Sequence, residues 1–95
     1  MSSSRAGFDR SFRAQLHVIS AQHGDRTVLL DAQAEKYYSL NATGRLVWDL
    51  LCDGTTSEFI VDDLFRRFGG DRSVLVDDVQ RLLDHLMSRG LVVEQ

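Results

Sequence analysis

The hydrophobic periodicity of this chain changes once, at Asn41, and that single change constrains the fold more than any other feature. Before it, apolar residues come in short runs suited to strands; after it, they recur every three to four residues up to Arg89. Strands first and helices afterwards describe an α+β domain, in which helices cover one face of an antiparallel sheet. Leu16, Val18 and Ser20 alternate with Gln15, His17 and Ile19, which predicts a first strand ending at the turn formers Gln22-His23-Gly24-Asp25. Thr27-Val28-Leu29-Leu30 predicts a second, and Lys36-Tyr37-Tyr38-Ser39-Leu40 a third after the turn at Asp31-Ala32-Gln33-Ala34-Glu35. Three strands this short need helices on one face to be stable.

Asn41 is a good N-cap for a helix over 42–52, with Leu46, Val47, Trp48, Leu50 and Leu51 at helical spacing and Asp53-Gly54 as its stop. Thr55 and Glu58 have the capping-box spacing, and Phe59, Ile60, Leu64, Phe65 and Phe68 mark the apolar face of a second helix that ends at Gly69-Gly70. Asp71 or Ser73 caps a third helix running to Arg89, followed by Gly90 and an extended tail at Leu91-Val92-Val93. The sequence contains no proline to interrupt any of them. The expected architecture is therefore a three-stranded antiparallel sheet packed on three helices, winged helix-turn-helix-like. Residues 1–11, polar and Ser-rich, read as a flexible N-terminal arm before a domain over 12–95.

The third helix has more apolar surface than one packing face needs. Leu75, Val79, Leu82 and Leu86 form a core stripe, while Val76, Leu83 and Met87 form a second about 100° around the helix. Two readings are open: the meander covers the second stripe, or the stripe faces a groove beside the third strand, where an extended peptide could join the sheet edge.

Composition narrows the function. The 95 residues carry 11 Lys+Arg and 14 Asp+Glu, a formal net charge of −3, which is the wrong sign for a chain built to neutralise phosphates or acidic membranes. A domain of this length buries roughly 60–70% of the surface its unfolded chain exposes, enough for one core but not also a deep catalytic cleft. The single cysteine, Cys52, excludes internal disulfides and multi-cysteine metal sites, and its default reading is a small buried side chain. No run approaches the ~20 apolar residues of a membrane span, and no export signal opens the chain, so a soluble, cytoplasmic protein is expected.

Enzyme constellations are missing. His17, His23 and His85 fall in different elements and have no metal-ligand spacing, so surface or core histidines are expected. The pairs Asp62-Asp63 and Asp77-Asp78 point about 100° apart on a helix and read as solvated faces rather than an acid/base pair. No glycine-rich loop has a phosphate-binding framework. No catalytic residue, metal or cofactor is expected. Strands followed by three helices also describe a DNA-binding winged helix, but the third helix opens with Val74-Leu75-Val76-Asp77-Asp78, which would repel phosphates at the reading end.

The segments Val28-Leu29-Leu30-Asp31, Lys36 through Gly44, Leu46-Val47-Trp48-Asp49-Leu50-Leu51, Asp53-Gly54 and Val76 through Val92 together resemble the PqqD-like family, the precursor-peptide recognition elements of ribosomally made, modified peptides. The Tyr-x-Leu-Asn-x-Thr-Gly run at 38–44 with the following Trp48 is the most specific part. Length and the Tyr-rich third strand are most similar to the stand-alone leader-binding proteins of lasso-peptide pathways. The resemblance implies a non-catalytic adaptor that holds the leader segment of a precursor peptide as an added strand and presents it to a separate maturation enzyme: a leader peptidase in lasso pathways, a radical enzyme in quinone-cofactor pathways. It places peptide contacts on Lys36, Tyr37, Tyr38 and Ser39, and on Val76, Asp77, Val79, Gln80, Leu83, Asp84 and Met87. Leu40, Asn41, Thr43, Gly44 and Trp48 read instead as architecture. A DNA-binding winged-helix regulator is the alternative.

Overall fold

Residues 10–95 are described by a computed structural model. Among them lie strands β1 (Ser11–Ala14), β2 (Val18–His23), β3 (Arg26–Asp31) and β4 (Lys36–Leu40), helix α1 (Ala42–Asp53), strand β5 (Thr55–Thr56), helices α2 (Ser57–Phe68) and α3 (Arg72–Ser88), and strand β6 (Val92–Glu94). The three expected strands form the antiparallel meander β2-β3-β4, with β2 starting later than the alternation at Leu16 suggested. A second antiparallel sheet, β5-β1-β6, was not legible: its partners sit at residues 11–14, 55–56 and 92–94, and two to four residues give a period of two little room to appear. Ser11, assigned to the arm, opens β1, and Arg10 pairs with Glu94 across this sheet; the rest of the arm, residues 1–9, lies outside the described residues.

Local chemistry explains the boundaries. Asn41 caps α1 through its side-chain oxygen, which accepts from the Gly44 amide at 2.9 Å. A Cβ on Gly44 would lie 3.3 Å from the Leu40 Cβ and 3.4 Å from the Asn41 Oδ1, so the glycine lets the strand-to-helix corner close tightly. The cap of α2 is Thr56, whose hydroxyl accepts from the Phe59 amide at 3.1 Å; Thr55, expected to cap, instead pairs with Phe12 in the second sheet. Asp71 caps α3 and accepts from the Ser73 amide at 2.9 Å. Asp31, buried at the end of β3, accepts from the Gln33 and Ala34 amides and lies 3.4 Å from His17 Nε2, fixing the turn that leads into β4.

One core joins both sheets and all three helices: Phe12, Leu29, Val47, Trp48, Leu51, Ile60, Val61, Leu64, Val79, Leu83, Leu86, Leu91 and Val92 are buried in one cluster. The helix faces differ in detail from the sequence reading. On α2, Ile60, Val61 and Leu64 are buried, whereas Phe59, Phe65 and Phe68 are exposed, with the Arg72 guanidinium over the Phe65 ring at 5.8 Å. On α3 the buried line runs through Val79, Leu83 and Leu86, between the two expected stripes, and leaves Leu75 and Leu82 half-buried on one flank and Val76, Gln80 and Met87 on the other. Cys52 is exposed rather than buried, because the adjacent Leu51 points into the core and successive helical residues diverge by about 100°. Asp63 is not solvated: it is buried and accepts from Arg66 at 3.0 Å and Arg67 at 2.8 Å, an i, i+3 and i, i+4 pattern visible in Asp63-x-x-Arg66-Arg67.

Candidate functional site: the free edge of β4

The register of the meander determines which backbone groups on its edges are free. The β2-β3 turn has two residues, Gly24-Asp25, with Gly24 at φ +66°, so its closing pair His23 and Arg26 is a hydrogen-bonded pair. In an antiparallel ladder such pairs alternate, so Arg26, Val28 and Leu30 bond towards β2, and Thr27, Leu29 and Asp31 bond towards β4. Their β4 partners are Leu40, Tyr38 and Lys36. The N–H and C=O groups of Tyr37 and Ser39 therefore point away from the sheet, where no other described strand pairs with them.

The side chains alternate in the opposite sense. Tyr38 and Leu40 turn inward and pack half-buried against the core, whereas Tyr37 is 73% exposed on the outer face and the Ser39 hydroxyl accepts from Arg26 at 2.9 Å. Val76 and Met87 of α3 are half-buried against the same core, and Gln80 is half-buried between them in the helical sequence. Tyr38, Leu40, Val76 and Met87 are thus incompletely covered apolar side chains on the margin of one core. Val79 and Leu83, proposed from the sequence as contact positions, are 2% and 0% exposed and belong to its buried interior. Leu83 is core because it lies four residues from Val79 and three from Leu86, in the middle of the buried line.

The acidic positions separate into two kinds. Asp78 pairs with Arg81 at 3.2 Å, whereas no ion pair engages Asp77 or Asp84 among the described residues. Asp84 nonetheless lies near Arg10. The Arg10 guanidinium is held in its charged form first by its two bonds to Glu94, at 2.7 and 2.6 Å, with Asp84 adding a weaker attraction, and Glu94 is correspondingly pushed below the usual carboxylate range. Lys36 stands exposed at the start of β4. The described residues thus supply free strand hydrogen-bonding groups, partly covered apolar side chains and a mildly acidic helix face, features that can hold an extended polypeptide.

Chemistry on bound atoms is less well supported. Partial burial, and then the carboxylates of Asp49 and Asp53, push the Cys52 thiol pKa up, the reverse of what a thiolate nucleophile requires. No group of three metal-ligating side chains occurs among the described residues, and no helix there is long and apolar enough to cross a membrane.

Comparison with known proteins identifies the family and the fold. The family model for coenzyme PQQ synthesis protein D (PqqD) matches residues 26–92, which span β3 to the start of β6. Among solved structures, TbiB1 in complex with the TbiA(beta) leader peptide is 32% identical, with a TM-score of 0.78 over 84% of this chain and 93% of that one. A lasso peptide synthetase B1 complexed with its leader peptide is 27% identical, with a TM-score of 0.78 over 86% of this chain and 96% of that one. Comparison with curated protein sequences gave no match. The matched residues include the Asn41 cap, the Gly44 corner, buried Trp48 and the whole of β4 and α3, and the chain belongs to the PqqD family.

Proposed function

We propose that this protein is a non-catalytic adaptor that binds the leader segment of a ribosomally synthesised precursor peptide as an added strand on β4 and delivers it to a separate leader peptidase in lasso-type biosynthesis in the cytoplasm, with residues 12–95 as its peptide-recognition domain. The observation that carries the reading is the unpaired edge at Tyr37 and Ser39 of a strand whose inward side chains, Tyr38 and Leu40, are only half-buried. Main-chain bonds to those two residues supply affinity, and side chains entering over Tyr38, Val76 and Met87 supply selectivity. Lys36, Gln80, Asp77 and Asp84 contribute polar contacts around them. The likeness to two leader-peptide complexes supports the choice of ligand.

Calorimetric titration with the leader of the pathway's precursor peptide, alongside duplex DNA, tests the binding step. Saturable leader binding and no DNA binding are expected; DNA binding without leader binding overturns the reading. Delivery is tested by whether the adaptor accelerates leader removal by the separate peptidase at limiting substrate.

A further inference from the structure

A cation without an acidic partner stands beside the β4 edge. Arg26, Val28 and Leu30 of β3 alternate with buried Thr27 and Leu29, so they project from the same side of the sheet as their cross-strand neighbours Tyr37 and Ser39. Arg26 is the only Asp, Glu, Lys or Arg that β2, β3 and β4 place on that side. It belongs to the central strand, yet its Nη1 donates to the Ser39 Oγ at 2.9 Å, so the exposed side chain leans towards the free edge. No ion pair engages it among the described residues, although Asp25 precedes it in the chain. With one bond to a neutral hydroxyl, most of the guanidinium's N–H donors remain unused.

The Ser39 hydroxyl is in the complementary state. It accepts from Arg26, which leaves its own proton for another acceptor, and no other protein group takes that proton among the described residues. Two donors in contact with each other, one of them charged, thus meet at the one point of the edge where the backbone of Ser39 also faces outward. Their shared demand is for a carboxylate. In a strand added to β4, the residue directly opposite Ser39 sets its Cβ about 4.5–5.5 Å from that of Ser39 and on the same side of the sheet. An Asp or Glu there brings its oxygens within reach of both donors. A Lys or Arg there would oppose Arg26 as a like charge, and an apolar side chain would cover the guanidinium without giving it a partner.

We infer that Arg26, positioned by Ser39, is a specificity-determining residue that selects an acidic residue at the leader position opposite Ser39. The inference rests on the leader-binding reading and adds to it the chemistry of one leader residue. The preference is confined to that end of the edge: Tyr37, two residues away on β4, has Leu30 as its cross-strand partner and no charge beside it on that side. Lys36 belongs by the same alternation to the opposite side of the strand.

Calorimetry on the full chain and on Arg26→Gln tests it, using the leader of the pathway's precursor peptide and a series in which each Asp and Glu of that leader is replaced singly by its amide. On the unmodified protein one such replacement should weaken binding about three- to fivefold, less at high salt. On Arg26→Gln the same replacement should cost less than about 1.5-fold, because the partner is already gone. Ser39→Ala, which removes the hydroxyl and keeps the outward backbone groups, is the second variant should Arg26→Gln fail to fold, and it should show the same coupling to a smaller degree. Leader binding in which no acidic residue is coupled to Arg26, or in which the coupled partner proves to be Lys36 by the same measurement on Lys36→Gln, overturns this inference alone. No leader binding by the unmodified protein overturns the leader reading and this one with it.

Discussion

Among the described residues, both edges of the β2-β3-β4 sheet are unpaired, and they are not equivalent. Both expose alternate backbone groups: Tyr37 and Ser39 on β4, and by the same alternation Val18, Ser20 and Gln22 on β2. They differ in what lies beneath. The inward side chains of β4, Tyr38 and Leu40, rest half-buried on the core from which Val76 and Met87 also emerge. On β2 only Val18 is packed on that core, and Ser20 and Gln22 are exposed and polar. Free hydrogen-bonding groups alone gain little over water, since each bond nets about 0.5–1.5 kcal/mol. A strand added to β4 also covers the inward Tyr38 and Leu40, at about 25 cal/mol per Å² of apolar area, whereas one added to β2 meets only Val18 on that face. An edge becomes a site when its inward side chains meet an unfinished core.

The largest effect should come from the buried line of α3. Leu83→Ala should lower folding stability by about 2–5 kcal/mol through lost burial and a cavity, as measured by denaturant unfolding. Met87→Ala, on the core margin, should cost less stability and instead weaken leader binding by roughly 1–3 kcal/mol in calorimetry. Equal destabilisation with unchanged affinity in both would make that margin ordinary core.

Proline separates the two edges directly. Ser39→Pro removes an outward N–H and should weaken leader binding at least tenfold, about 1.4 kcal/mol. Ser20→Pro makes the same change on β2 and should leave affinity within twofold. Equal losses at both positions would mean that the edges do not differ.

Smaller effects concern charge. Asp77→Asn and Asp84→Asn should each change leader affinity by about 0.2–1 kcal/mol, fading with salt, if the leader brings cations to α3. Asp84 should give the smaller change because Arg10 already attracts it. Away from both edges, hydrogen bonds from Arg67 first and Arg66 second hold Asp63 below the usual carboxylate range. A lowered folded-state pKa stabilises the fold above the unfolded value of about 4, and that contribution is lost as pH falls through the folded value. Asp63→Asn should therefore flatten the acid limb of the stability profile and leave leader affinity at neutral pH unchanged.

How much of this the sequence disclosed depended on whether the signal was local. The Asn41 cap, Gly44 and Trp48 were legible as architecture because capping and helical spacing act within a few residues. The β4 segment was legible as a short strand, but not the phase that frees Tyr37 and Ser39, which requires the register set by the Gly24-Asp25 turn. On α3 the two apolar stripes were visible, yet which line is buried depends on what α2 and β6 place against it, and Leu83 moved from groove to core. The second sheet was hidden because Phe12, Thr55 and Val92 meet only in the folded chain.

Backbone amide exchange, followed by NMR on the free and leader-saturated protein, tests the central claim most directly. In the free protein the Tyr38 amide should already be slow, since it bonds to β3, while those of Tyr37 and Ser39 exchange quickly. Leader addition should slow Tyr37 and Ser39 and leave Ser20 and Gln22 on β2 unchanged. Protection of Ser20 and Gln22 instead, or leader binding with Tyr37 and Ser39 still exchanging freely, would contradict the account.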